Sequence, residues 1–136
     1  MVVIVDYGMG NLRSVSKALE SLGAAVRVSS APDDVARASK LILPGVGAFP
    51  AAMRELSARR LMDPIKASIA KGTPYLGICL GLQLLFEESD EGAGARGLGV
   101  LAGRVPKFAW AGTTTPLPCT GNSSCAIPTI SRPATS

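Results

Sequence analysis

A chain of 136 residues has the length of one domain and enough mass for one sizeable core. With 47% hydrophobic residues it is not disordered as a whole, and no run approaches the roughly 18–20 apolar residues that span a bilayer. The net charge of +4 belongs to the last third: residues 1–91 hold ten basic and ten acidic side chains, whereas residues 92–136 hold Arg96, Arg104, Lys107 and Arg132 and no acid, without the interleaved aromatics of a nucleic-acid surface.

The chain opens on an all-apolar run, residues 2–6, ending in Asp6. No basic leader precedes it, so it reads as a strand and not a signal peptide, and a cytoplasmic protein is expected. A glycine-rich loop, residues 7–11, follows. Its lone G-x-G lacks the third glycine of a dinucleotide fingerprint, because Arg13 stands there, so a tight turn into a helix is favoured over phosphate binding. Leu12, Val15, Ala18, Leu19 and Leu22 then form a helical stripe, which Gly23 is placed to stop. Residues 25–28 are a second strand. Asp33 or Asp34 is a candidate cap for a short helix through Ala38.

Residues 41–43 form a third strand, cut off by Pro44. Gly45-Val46-Gly47 leads into a helix over about 50–61, with Pro50 in its first turn. A second short helix covers 64–70, and residues 74–78 make the fourth strand. Strands and helices alternate and the strands are apolar throughout. The pattern predicts an α/β fold: a flavodoxin-like open, mainly parallel sheet with helices on both faces. In such sheets sites form at the carboxyl ends of strands, and the 7–11, 44–48 and 77–81 loops all fall there.

The most informative stretch is Gly77-Ile78-Cys79-Leu80-Gly81. It joins the fourth strand to a helix in which Leu80, Leu84 and Leu85 recur at helical offsets, with Gln83 and Glu87 on other faces. A strand turning straight into a helix crowds the backbone, and glycines two residues either side of the turn make room. This is the nucleophile-elbow pattern with sulfur in place of the serine oxygen. Cys79 at a helix N-terminus would be favoured as a thiolate, and the Leu80 N–H would face an oxyanion formed by its attack. A peptide N–H of the 44–47 segment could complete that oxyanion hole. Taken singly, the same residues also suit a small buried cysteine and a plain strand-to-helix turn. Glu87, Glu88, Asp90 and Glu91 cluster beyond the elbow, either as a solvated helix end or as a holder for a cationic substrate group. Cys79, Cys119 and Cys125 do not make a disulfide framework.

Three motifs in this order, residues 6–12, 43–49 and 77–87, resemble the glutaminase subunits of imidazole glycerol phosphate synthase, within the class I (triad) glutamine amidotransferases. The resemblance covers about residues 1–108. It implies hydrolysis of L-glutamine to glutamate and ammonia, with Cys79 as the nucleophile that forms a glutamyl thioester. It implies Leu80, Val46 and Gly47 at the oxyanion hole, and Gln83, Glu91 and Gly45 in contact with substrate. It also implies a heterodimer with a (β/α)8-barrel cyclase. That partner uses the ammonia to make imidazole glycerol phosphate and AICAR in histidine biosynthesis. No metal or organic cofactor is implied, and no nucleic-acid or membrane partner.

Two departures stand out. The chain has no histidine and no acid after Glu91, so the rest of the triad has no match. Residues 109–136 are half Ser, Thr and Pro, with one charge, Arg132, and no periodicity. That segment is read as a low-complexity, disordered tail outside the 1–108 domain. A shifted reading frame that replaces the true C-terminal half explains its abrupt start better than a genuine flexible tail. Little glutaminase activity is expected from this chain alone. The rival of a different class is a non-catalytic flavodoxin-like binding module. Another cysteine-elbow enzyme, such as a thioesterase, is disfavoured by the offsets of Gln83 and Glu91 from Cys79.

Overall fold

The four runs read as strands form four parallel strands, three of them apolar; the edge strand Val26–Ser29 carries Arg27 and buries no residue. The computed structural model describes residues 1–92 and 94–106. In chain order these give β1 (Val2–Val5), α1 (Leu12–Ser21), β2 (Val26–Ser29), α2 (Pro32–Arg37), β3 (Lys40–Gly45), α3 (Phe49–Ala58), α4 (Met62–Ala70) and β4 (Tyr75–Cys79). There follow α5 (Leu80–Gln83), β5 (Phe86–Ser89), β6 (Ala95–Arg96) and β7 (Leu101–Val105). Among the described residues no helix is long and apolar enough to cross a membrane.

The main sheet has the order β2-β1-β3-β4, all parallel. The step from β1 to β2 runs one way along the sheet, and the steps to β3 and β4 run the other way. Right-handed crossovers then put α1 on one face and α2, α3 and α4 on the opposite face. The packing agrees. Val3, Val5, Tyr7, Leu41 and Leu43 face α2–α4 and cluster with Val35, Phe49, Ala52, Leu56, Leu61 and Ile65. Ile4 and Ile42 point the other way and are also buried. The direction of winding reverses between β1 and β3, so the 7–11 and 44–48 loops leave the sheet on either side of a natural crevice. Leu76 shares the Ile42 face on β4, the edge strand among the described residues, and is 53% exposed.

Local signals place some helix ends. The Asn11 carboxamide oxygen caps α1 by accepting from the Ser14 N–H at 3.2 Å. Asp34 does not cap α2, whose first turn follows Ala31 and begins with Pro32. Its carboxylate instead accepts from Ser29 Oγ at 2.6 Å and from Arg27 at 3.2 Å. The two helices expected over 50–61 and 64–70 run Phe49–Ala58 and Met62–Ala70, separated by a turn in which Arg60 has φ +56°.

Two larger expectations are overturned. Pro44 does not end the third strand: β3 continues through Pro44 to Gly45, paired with β4. The β1 register stops at Ile42, so on that side the missing proline N–H leaves no ladder bond unmade. The helix after the elbow is one turn long, and the chain then turns into β5. Glu87 and Glu88 therefore lie on a strand and not at a helix end. A second sheet of order β6-β5-β7 holds them, with β6 antiparallel and β7 parallel to β5. Gly97 makes this possible by close approach, since a Cβ there would collide with the Phe86 carbonyl oxygen. The proposed tail, residues 109–136, lies outside the described residues.

Candidate active site

Cys79 ends β4 with φ +53° and ψ −116°, one of two described non-glycine residues with positive φ. Such a conformation costs a side-chain-bearing residue about 1–3 kcal/mol and is kept where the surroundings impose it. The flanking glycines supply the imposition. A Cβ on Gly81 would collide with the Leu43 carbonyl oxygen, and one on Gly77 would stand 2.6 Å from the Leu82 nitrogen. The turn thus folds back on β3 and on its own helix with no room for a methyl group. Cys79 itself is exposed and free.

Leu80, buried, opens α5, where a first-turn N–H has no intrahelical acceptor. Because α5 is a single turn, little macrodipole stands behind Cys79. What the elbow offers a thiolate or an oxyanion is the N–H groups of that turn. The expected neighbour is in place: Gly45 is the register partner of Cys79 across β3 and β4. A Cβ on Gly45 would meet the Tyr7 hydroxyl, and would stand 3.0 Å from Leu80 Cβ and 3.1 Å from the Gly81 nitrogen. Val46, 58% exposed, and Gly47, with φ +103°, continue the segment past the elbow into α3. The 7–11 loop lies over the same segment, with Gly10 against the Pro44 backbone and Met9 against Gly47. The three loops therefore meet at one end of the sheet.

Gln83 and Glu91 come together. They line one pocket of about 380 Å³ with Ser89, Asp90, Gly92, Val105 and Pro106, and Cys79 is not part of that lining. The acidic cluster is mostly engaged. Asp90 pairs with Arg104, and Glu87 Oε2 accepts from the Gly103 N–H at 3.3 Å. Glu91 Oε2 accepts from the Phe49 N–H at 3.1 Å. Among the described residues no group of three or more His, Cys, Asp or Glu could hold a metal ion.

Two tyrosines beneath the elbow were not singled out in the sequence. The Tyr75 hydroxyl donates to the Gly81 carbonyl at 3.0 Å, tying the base of the strand to the turn above it. The Tyr7 hydroxyl is buried without a hydrogen-bond partner among the described residues. Burial pushes the Tyr7 phenol up to about 12. Burial, and then the charge Tyr7 would carry, push Tyr75 up too. The available signal was an aromatic with a polar tip at the end of an apolar run facing a glycine.

The sequence profile described as glutamine amidotransferase class-I matches residues 3–122. Among curated relatives, the protein called imidazole glycerol phosphate synthase subunit HisH of Syntrophotalea carbinolica is 54% identical over 108 residues, covering 79% of this chain and 52% of that one. Those of Geobacillus thermodenitrificans and Rhodopirellula baltica are 55% and 56% identical over the same share of this chain, and 51% and 53% of theirs. The chain thus spans about half the length of the curated relatives it matches. Among solved structures, one described as a glutamine amidotransferase aligns with a TM-score of 0.68 at 24% identity, over 83% of this chain and 60% of that one. A putative peptidase E protein from Listeria monocytogenes aligns at 0.59 and 16% identity, over 74% of this chain and 62% of that one. At these identities the two structures speak to the fold alone. A cysteine forced into left-handed geometry between a parallel strand and a helix, and a profile match over most of the sequence, agree: the chain belongs to the class-I glutamine amidotransferase family.

Proposed function

We propose that this chain carries the nucleophile-bearing half of a cytoplasmic glutaminase, one that supplies ammonia to a cyclase partner making imidazole glycerol phosphate and AICAR. The single observation that carries the reading is Cys79, held at φ +53° in register with Gly45. The thiolate of Cys79 attacks the carboxamide carbon of L-glutamine. The oxyanion that forms is met by the Leu80 N–H and by peptide N–H groups of Val46 and Gly47. Collapse expels the amide nitrogen, which takes up a proton and leaves as ammonia, and water then cleaves the glutamyl thioester to glutamate. Gln83 and Glu91 hold the amino-acid end of the substrate, the carboxylate facing its α-ammonium, and Gly45 lies along it. The cyclase, a (β/α)8 barrel, docks as a heterodimer and receives the ammonia.

The chain has no histidine to take the thiol proton and return it to the leaving nitrogen. For these 136 residues acting by themselves, proton transfer would fall to solvent, and loss of one member of such a triad removes most of the rate. Acylation once, with very slow turnover, is the expected behaviour. The test is a diazoketone analogue of glutamine followed by mass spectrometry. One adduct on Cys79, prevented by L-glutamine and absent from Cys79→Ser, is expected. A folded chain that takes no adduct would instead favour a non-catalytic binding module.

A further inference from the structure

The helix that follows the oxyanion segment lacks the means to end itself. Ala48, at the N-cap of α3, has no side chain to bond the first turn, and that turn contains no acid. Pro50 has no N–H. The Phe49 N–H is nevertheless satisfied, by Glu91 from 42 residues away. The turn bearing Glu91 is seated for this. Glu91 N–H donates to the buried Ser89 Oγ at 3.1 Å, and Gly92 packs on Pro50 so closely that a Cβ would collide with the proline ring. A carboxylate at a helix N-terminus is favourable in charge as well. Phe49 follows Gly47 by two residues, so whatever fixes the start of α3 also fixes the far end of the oxyanion segment.

We propose that Glu91 is a positioning residue for Val46 and Gly47, capping α3 through one oxygen while the other faces the substrate. The inference rests on the glutaminase reading and deepens it. One carboxylate both senses the α-ammonium and sets the peptides that receive the oxyanion, so an occupied amino-acid site and an aligned oxyanion hole go together. Gln83, which shares the pocket, makes no hydrogen bond to α3 among the described residues.

The test separates capping from ammonium binding. A neutral activated ester, p-nitrophenyl acetate, acylates Cys79 with loss of p-nitrophenolate and has no ammonium. Glu91→Ala is expected to slow this acylation about tenfold through a loosened loop, and to speed hydrogen exchange at the Phe49 amide. Adding Ala48→Ser supplies a local cap to the Ala51 N–H, since Pro50 has none, and so re-fixes the start of α3 without Glu91; the double variant is expected to regain the ester rate within about twofold while the Phe49 amide stays fast to exchange. Capture of the diazoketone analogue stays slow in both variants. An unchanged ester rate in Glu91→Ala, or no recovery on adding Ala48→Ser, overturns the proposal. Should Glu91→Ala not fold, refolding by Ala48→Ser shows that capping the start of α3 is what Glu91 supplied, and failure of both variants to fold counts against the proposal. If the native chain is acylated by neither reagent, the glutaminase reading fails instead, and Phe49 exchange still decides the cap.

Discussion

The Tyr7 hydroxyl stands against Gly45 so closely that a methyl group there would overlap it, and among the described residues it bonds to nothing. A buried donor without an acceptor costs about 1–3 kcal/mol. Tyr7→Phe removes that donor and keeps the ring in the core. It is expected to raise stability by about 1 kcal/mol, read as a higher urea midpoint at unchanged slope. A loss of similar size would reveal an acceptor for the hydroxyl.

The same burial sets an alkaline limit. Tyr7 is pushed up to about 12, and Tyr75 is raised as well. The unfolded phenol ionises near pH 10. Folding therefore favours the neutral phenols, and their contribution is complete below about pH 10 and lost as pH climbs through the folded value. Urea midpoints should hold level up to about pH 10 as far as these groups are concerned and fall toward pH 12. The gap between native and Tyr7→Phe should widen in favour of the variant across that window. A constant gap would remove Tyr7 from the account.

Cys79 bears its conformation at a cost that glycine does not. Cys79→Gly is expected to stabilise the chain by about 1 kcal/mol while ending all covalent capture. Cys79→Ser, which keeps a Cβ, should end capture without the gain. Thermal melts of the two variants side by side decide this, and equal stability would mean that the turn carries little strain.

Gly81 and Gly23 make a matched contrast. A Cβ on Gly81 runs into the Leu43 carbonyl, whereas nothing lies within 4 Å of one on Gly23, whose only demand is φ +78°. Gly81→Ala is expected to cost more than about 4 kcal/mol and to abolish cooperative unfolding. Gly23→Ala should cost about 1–2 kcal/mol from backbone conformation alone. Similar losses in both would mean that the elbow can relax away from β3.

On the glutaminase reading, a base for these 136 residues by themselves can be offered from solution. Free imidazole should raise the slow release of ammonia from glutamine in proportion to its concentration, and should do nothing for Cys79→Ser. A flat response in the native chain would place the limiting step elsewhere than proton transfer.

The elbow, the parallel sheet and the meeting of three loops were legible because each rests on local chemistry: glycine spacing, unbroken apolar runs and strand-to-helix turns. The one-turn length of α5 was not. Leu80, Leu84 and Leu85 fit a longer helix, and the interaction that stops it is strand pairing with residues about fifteen positions on, admitted by Gly97. Pro44 misled for a related reason, since whether a proline tolerates a strand depends on which side has a neighbour. The Glu91 cap joins residues 42 apart, and no local pattern announces it.

Among the described residues β4 is held by a neighbour along one side, and Leu76 on it is half bare to water. The sulfur at its tip is therefore only as steady as a single ladder. On warming, amides of Tyr75–Cys79 should begin exchanging before those of β1, which is flanked on both sides. The chain would then lose its chemical reactivity at a temperature where most of its sheet is still intact.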